Sequence, residues 1–507
     1  MCRSRRRSRP RSARCGLPCS SSLVLACQTM RGGVTRPLPI GQAALRFCAC
    51  PPCLFGNCAR TPHSIACAPE RRRFDASERR AMTPDRAPSM SRGRAWFGLA
   101  LLTAMMTLNQ IDRRVASLVI EPLKAEFGLT DSQLGMLTGL AFGMVYAITA
   151  IPLGLLADRM SRRNLLAIVL ALWSALTALA GLANSYAHLL LARVGVGAAE
   201  AGASPTAVSM ITDMFPRERR ATAVAIFQTG ISLGSFLCFL VGAWIVAEYG
   251  WRMAFVAAGL PGIPLAIAYL FFLREPERGA QEAKKFDFSG NWRQRLADAF
   301  GFIRRDGRVM CIIVGAALLA AANTGVLGWF APFLMREHDL DIKQAGLVIA
   351  LGSGVCGGIG LIFTGTITDR LAKGDPGRMM FLCAVAAGIT GLFSVWAVLA
   401  ATVGMTIAAI MGYSLFCYAF LGISYAALLN LTPPHYRGTV IAIEMVMANL
   451  LGYGGGPYVV GVLSDLYGGE HSLRWAMLTL NLFYLAGVLC FFFGSAIDRR
   501  KVAAVAV

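Results

Sequence analysis

The sequence predicts an all-α membrane protein of twelve transmembrane helices in two pseudo-symmetric bundles of six. Three observations carry that prediction. The 507 residues are 56% hydrophobic and 15% charged, with a mean hydropathy of +0.56, where a soluble chain carries roughly 25% charged residues. Apolar runs of about 20 residues, the length that crosses a hydrocarbon core, recur twelve times. A G-x-x-x-D-R signature ends both the second run (Gly154, Asp158, Arg159) and the eighth (Gly365, Asp369, Arg370), the same place in each half.

Residues 1–91 stand apart. Up to position 90 they hold 17 Arg and no Lys against four acids, which accounts for +13 of the formal charge of +21. Nine of the 15 Cys fall within the first 67 residues. The segment has no helical or strand period and reads as a disordered extension, or as sequence upstream of the true start at Met82 or Met90. CACPPC (Cys48 to Cys53) has no second matching pair and His63 stands alone, so no metal site is expected. LVLAC (Leu23 to Cys27) is too short and too broken for a cleavage region.

The spans are expected near 95–118, 132–157, 163–183, 187–210, 220–246, 252–273, 309–335, 343–369, 378–400, 403–430, 437–463 and 474–496. Residues 92–273 form the first bundle and 309–498 the second. Residues 274–308 link them, and 499–507 form a tail. In the linker, Trp292, Leu296, Phe300 and Ile303 share one helical face edged by Arg293, Arg295, Arg304 and Arg305, the pattern of a helix lying on an anionic membrane surface. Loops on one side hold 22 Lys and Arg, against five on the other (Lys124, Arg252, Arg336, Lys343, Arg474). Such asymmetry places both termini in the cytoplasm of a cell (inner) membrane protein. Basic residues that flank apolar runs do not make a nucleic-acid surface.

Span 1 ends in an anomaly, TLNQIDRRVASLV. At about 1.5 Å per residue from Trp96, Asp112 lies about 24 Å into the membrane. An ion at that depth costs at least about 2.5–3.5 kcal/mol unless paired or wet. Arg114 is expected to snorkel outward. Asp112 and Arg113 are expected to meet Arg193 and Glu200 of span 4, which sit seven residues apart on one helical face among small residues that permit close packing. Protonation of Asp112 or Glu200 would free an arginine for an anionic substrate; burial and the arginines pull the carboxylates in opposite directions. Asn109, Gln228, Asn323, Glu444 and Asn449 are further polar residues inside spans, with interhelical hydrogen bonding as the plain alternative. Asn109 is one turn from Arg113. Glu444 is the acid deep in the second half and a further proton site. The Gly of each G-x-x-x-D-R allows close helix approach, and its Asp can face a neighbouring helix N-terminus. Such a contact would form in one state and break in the other. Gly230 and Gly234 in span 5, and Gly452 to Pro457 in span 11, suit close packing, with bending at Pro457 during the switch.

The stretch Gly154-Leu-Leu-Ala-Asp158-Arg159-Met-Ser-Arg-Arg163 resembles the loop motif of the major facilitator superfamily. QIDRRVASLVIEPLKAEFGLTDSQLGMLTG, ARVGVGAAEAGASPTAVSMITDMFPRERRA and YGWRMAFVAAGLPG resemble its spinster-like branch, bacterial type. Ala199 replaces the Gly usual before Glu200. The resemblance implies a secondary transporter alternating between two states, with substrate between the bundles. It also implies that Asp112, Arg113, Arg193 and Glu200 form the charged network. Its eukaryotic members are associated with lysolipids and sphingoid phosphates.

The resulting expectation is a proton-coupled carrier of an amphipathic organic anion. Arg113, Asn109, Arg193, Gln228 and Asn323 would bind substrate, and Asp112, Glu200 and Glu444 would couple protons. Gly154, Asp158, Arg159, Arg163, Gly365, Asp369 and Arg370 would form the gate. The alternative is a symporter of a hydrophilic organic or sugar acid; a receptor or intramembrane enzyme is the remaining class. HExxH and phosphate-binding loops are missing from the sequence, so no enzyme, cofactor or metal is expected. The partners expected are substrate, membrane lipid and protons, for a monomer that binds no nucleic acid.

Overall fold

The structure is a computed structural model that describes residues 91–276, 292–433 and 436–505. The N-terminal extension with its Cys pattern lies outside the described residues. So do the side chains of Asp158, Trp292, Arg293 and Arg295.

Helices form at all twelve expected places. Span 1 is Arg92–Leu118, and a short helix, Ile120–Phe127, leads from it. Span 2 runs Asp131–Gly135, Met136–Leu140 and Ala141–Arg159. Span 3 is Arg162–Ala180; span 4 is Tyr186–Glu200 continued by Ala203–Met214. Span 5 begins at Arg217–Leu237, passes Cys238–Gly242 and enters Ala243–Gly259. The chain reverses at Gly250, whose φ of 83° and ψ of 168° suit glycine, and span 6 ends with Gly262–Phe272. Span 7 is Gly307–His338, and span 8 runs Ile342–Ile349, Ala350–Cys356 and Gly357–Ala372. Span 9 is Pro376–Leu399; span 10 is Val403–Phe416 with Ala419–Leu431. Span 11 runs Arg437–Met447, Ala448–Gly455 and Gly456–Tyr467. Span 12, Ser472–Val505, continues as helix through most of the expected tail. Nine helical stretches among the described residues meet the length and hydropathy of a membrane crossing, and one of them, Glu218–Phe272, contains both span 5 and span 6. Spans 1 and 4 fall short of that measure, both carrying charged and polar residues within their apolar runs.

Two further features repeat between the halves. Spans 2 and 8 both open with a reciprocal capping box, Thr130 with Gln133 and Asp341 with Gln344, which satisfies two free amides at each helix start. A π-helical turn interrupts spans 2, 5, 8 and 11. These four spans carry most of the contact between the halves. A Cβ at Gly139 would lie 2.7 Å from the Gly454 carbonyl oxygen, and one at Gly143 2.6 Å from Gly454 Cα. Across the other pair, a Cβ at Gly354 would lie 2.6 Å from Phe236 Cβ, and one at Gly346 2.4 Å from Ala243 Cβ. Glycine lets these helices touch backbone to backbone, and π turns recur where helices do functional work.

The halves meet at one end. Arg336 at the end of span 7 donates to Asp131 from Nη1 (2.7 Å) and Nη2 (2.9 Å) and to Glu121 from Nε (2.8 Å). Asp465 accepts from the backbone amides of Asp131 (2.9 Å) and Ser132 (2.8 Å), and Ser464 Oγ donates to Asp131 Oδ2 (2.7 Å). Lys343 pairs with Glu248. At the opposite end, which carries the basic loops, no hydrogen bond or ion pair joins the two halves among the described residues. A Cβ at Gly154 or Gly365 would meet nothing within 4 Å. Among the described residues, hydrogen bonds and ion pairs join the halves at the sparsely basic end and not at the basic end.

The linker helix, Trp292–Arg305, forms as expected, but its inward side differs. Ala299 and Ile303 are buried, Phe302 stacks on Tyr436 at 5.6 Å, and Phe300 is exposed. The helix therefore docks on the start of span 11, and of the expected lipid-facing residues Ile303 is turned into protein.

Candidate functional site: charges between the bundles

Asp112, Arg193 and Glu200 are 0%, 2% and 1% exposed. Small residues on span 4 make this possible: a Cβ at Gly197 would lie 2.8 Å from the Phe142 carbonyl oxygen. Arg113 Nε donates to Glu200 Oε2 at 3.0 Å. Asn109, one turn earlier on span 1, lies beside the same carboxylate. The Arg113 guanidinium sits over three rings, Phe142 (4.9 Å) and Tyr146 (4.8 Å) of span 2 and Tyr453 (5.2 Å) of span 11. Aromatic faces attract a cation most when both are desolvated. Tyr453 belongs to the second half, so Arg113 touches both bundles.

Arg193 and Asp112 meet differently from expectation. Arg193 Nη1 donates to the Asp112 backbone carbonyl at 3.0 Å, and its guanidinium lies over Phe142 at 5.1 Å. Among the described residues the Asp112 carboxylate forms no ion pair; it faces Trp173 and Thr177 of span 3. The four residues do come together, with one ion pair, Arg113–Glu200.

Arg114 overturns its expectation. It is 6% exposed and lies near Tyr418 of span 10 instead of reaching the membrane surface. A step of one residue turns a helix by about 100°, which carries Arg114 away from Arg113 and into the closed contact between the halves.

The second half supplies Glu444, 2% exposed, with the Tyr425 hydroxyl beside it. Tyr425 is within electrostatic reach of Tyr453 and Tyr146, so the polar groups of the two halves form one cluster. Asn323 lies apart from it. Tyr413 donates to Asn323 Oδ1 at 2.6 Å inside the second bundle, the plain structural role. Gln228 is half-buried, its amide oxygen without a partner. Asn449 Nδ2 donates to Met445 O of its own helix at 2.7 Å.

At the basic end, Arg159, Asp369 and Arg370 are exposed, and Arg163 Nε bonds the neighbouring Asn164. The arginine that the fold buries is Arg162. Its Nη1 donates to Asp213 (2.6 Å) and Ser209 (3.0 Å) of span 4, and its Nη2 to Pro276 O (3.0 Å) beyond span 6. Glu275 accepts from the Arg162 amide at 2.9 Å and from Ser161 Oγ. Burial pushes the Glu275 carboxyl up, but these bonds and the Arg162 charge outweigh it and hold it below the usual range. The sequence signal lay in acids placed just where spans 4 and 6 end, opposite a run of three arginines. The aromatic residues around Arg113 left only a weaker signal, Tyr146 lying three residues after Gly143.

Residues 102–457 match the sequence profile of the Major Facilitator Superfamily. An MFS-type efflux pump of Mycolicibacterium smegmatis is 29% identical over 442 residues, covering 83% of this chain and 97% of its own. A probable L-galactonate transporter of Escherichia coli is 25% identical over 411 residues, 78% and 88% of the two chains. Among solved structures, a bacterial homolog of the human lysosomal transporter spinster, inward-facing and unoccupied, superposes with a TM-score of 0.70 at 26% identity, covering 81% of this chain and 99% of that one. The chain belongs to the Major Facilitator Superfamily and is similar to its spinster-like members.

Proposed function

We propose that this membrane transporter couples the movement of an organic anion to protons, and that Arg113 is the point where the Glu200 carboxylate and the substrate anion compete. The observation that supports this most is the enclosed Arg113–Glu200 pair at 3.0 Å, with Arg113 also against Tyr453 of the other half. Protonating Glu200 removes the carboxylate charge from Arg113. The guanidinium is then a buried cation that lacks a partner, and an anionic head group restores the balance. Asp112 and Glu444 are the further proton sites. With both termini in the cytoplasm of the cell membrane, the basic end faces inward. Substrate then reaches Arg113 from that side while the Arg336 network holds the other end shut.

The rings of Phe142, Tyr146 and Tyr453 around the cation suit a substrate with an apolar body, as in a lysolipid-like anion. A second reading, a hydrophilic sugar acid, is favoured by the Escherichia coli relative. Stabilisation of purified protein by lysolipids or by sugar acids at two pH values distinguishes them. The ligand that stabilises wild type is expected to lose its effect in Arg113→Ala. An unchanged response in that variant refutes the assignment of the head-group site.

A further inference from the structure

We propose that Tyr453 is a positioning residue that couples the charge on Arg113 to the joining of the halves at the sparsely basic end. Arg113 lies on span 1 of the first half and Tyr453 on span 11 of the second, with the guanidinium carbon 5.2 Å from the ring centroid. The other two rings on that cation, Phe142 at 4.9 Å and Tyr146 at 4.8 Å, belong to span 2 of its own half. Parting the halves as rigid bodies leaves those two rings with Arg113 and takes Tyr453 away.

The backbone on both sides of Tyr453 fixes the ring there. Tyr453 sits in the π-helical stretch Ala448–Gly455, between two glycines. Thr324 Oγ1 of span 7 donates to the Gly452 carbonyl at 2.6 Å, and a Cβ at Gly452 would lie 2.6 Å from Ala320 Cβ. On the other side Gly454 packs on span 2, where a Cβ at Gly143 would lie 2.6 Å from Gly454 Cα. Span 11 is thus gripped by span 7 of its own half and by span 2 of the other. Tyr453 is half-buried, and a ring face attracts a cation more strongly as water is excluded. The contact exists only while the halves are together at this level, so it favours that state by its own strength. Whatever neutralises Arg113 weakens it. The consequence for transport rests on the reading of Arg113 as the head-group site: an anion bound there loosens a contact that holds the halves together.

The test is the maleimide labelling rate of a single cysteine, Ala243→Cys, in an otherwise cysteine-free full chain at one pH and without substrate. Ala243 is 1% exposed and faces span 8, where a Cβ at Gly346 would lie 2.4 Å from its own. Its labelling therefore reports the fraction of molecules in which the halves have parted there. Tyr453→Leu is expected to raise that rate about threefold to tenfold. Tyr453→Phe, which keeps the ring, should label like the Ala243→Cys parent. In an Arg113→Gln background, Tyr453→Leu should change nothing further. An unchanged rate in Tyr453→Leu overturns the proposal, as does an equal rise in the Arg113→Gln background or a rise in Tyr453→Phe. Where Tyr453→Leu fails to fold, a trifluorinated phenylalanine at the same position replaces it, since that ring keeps its shape and loses its negative face. A rate there equal to that of Tyr453→Phe overturns the proposal. None of these outcomes involves a proton on Glu200 or the substrate, so failure of that competition is seen separately.

Discussion

Replacing Arg336 with alanine should open the end of the molecule that is closed in this structure. Arg336 forms three charge-assisted bonds to Asp131 and Glu121, with side-chain exposures of 18%, 3% and 22%. Breaking a fully buried pair costs about 3–5 kcal/mol. Arg336 and Glu121 keep some water, and all three groups regain it when the ends part, so about 2–3 kcal/mol remains. That is about 30- to 150-fold in population. A closed-to-open preference of about 99:1 would move to between about 3:1 and 1:1.5. Spin labels at exposed Ala125 and Glu470, on opposite halves of that end in a cysteine-free background, would report the change. Wild type should give mainly the short distance and Arg336→Ala a bimodal distribution. An unchanged short distance in the variant would show that glycine packing alone holds this end, and the reasoning from the ion pairs would fail.

Other outcomes follow from the same geometry. Gly143→Val should also populate the long distance, because its Cβ meets Gly454 backbone at 2.6 Å; a wild-type distribution would contradict the packing argument. Asn323→Ala should lower the unfolding midpoint, losing about 1–3 kcal/mol of buried hydrogen bonding with Tyr413, while substrate affinity stays unchanged; a selective loss of affinity would return Asn323 to the binding site. Glu275, held below its ordinary value of 4.5, contributes stability that is full above pH 4.5 and lost as pH falls through its folded value. Glu275→Gln should be less stable than wild type at pH 7, and the gap should narrow in acid. A gap that does not depend on pH would contradict the linkage.

Hydropathy and charge made the helices and their pairing into halves legible, because a membrane leaves few other solutions for a backbone. The meeting of spans 1 and 4 was legible as well, since charges in lipid need partners. Side-chain direction was not. Arg113 and Arg114 read alike in sequence, yet one turn angle sends the first to Glu200 and the second to Tyr418. Likewise DRMSRR offered three arginines, and the fold buries Arg162 while Arg159 stays exposed and Arg163 half-buried. The π turns of spans 2, 5, 8 and 11 depend on the packing between the halves. The glycines around them hinted at close approach but carried no mark of the extra backbone turn.

The central claim is that a proton on Glu200 releases Arg113 to the substrate anion. It is tested most directly in proteoliposomes loaded with the anion that the stabilisation screen identifies. An imposed proton gradient should drive wild type to concentrate that anion. Glu200→Gln should still exchange it across the membrane yet fail to concentrate it, because the variant has no charge to neutralise. Gradient-driven accumulation by Glu200→Gln at the wild-type level would contradict the account.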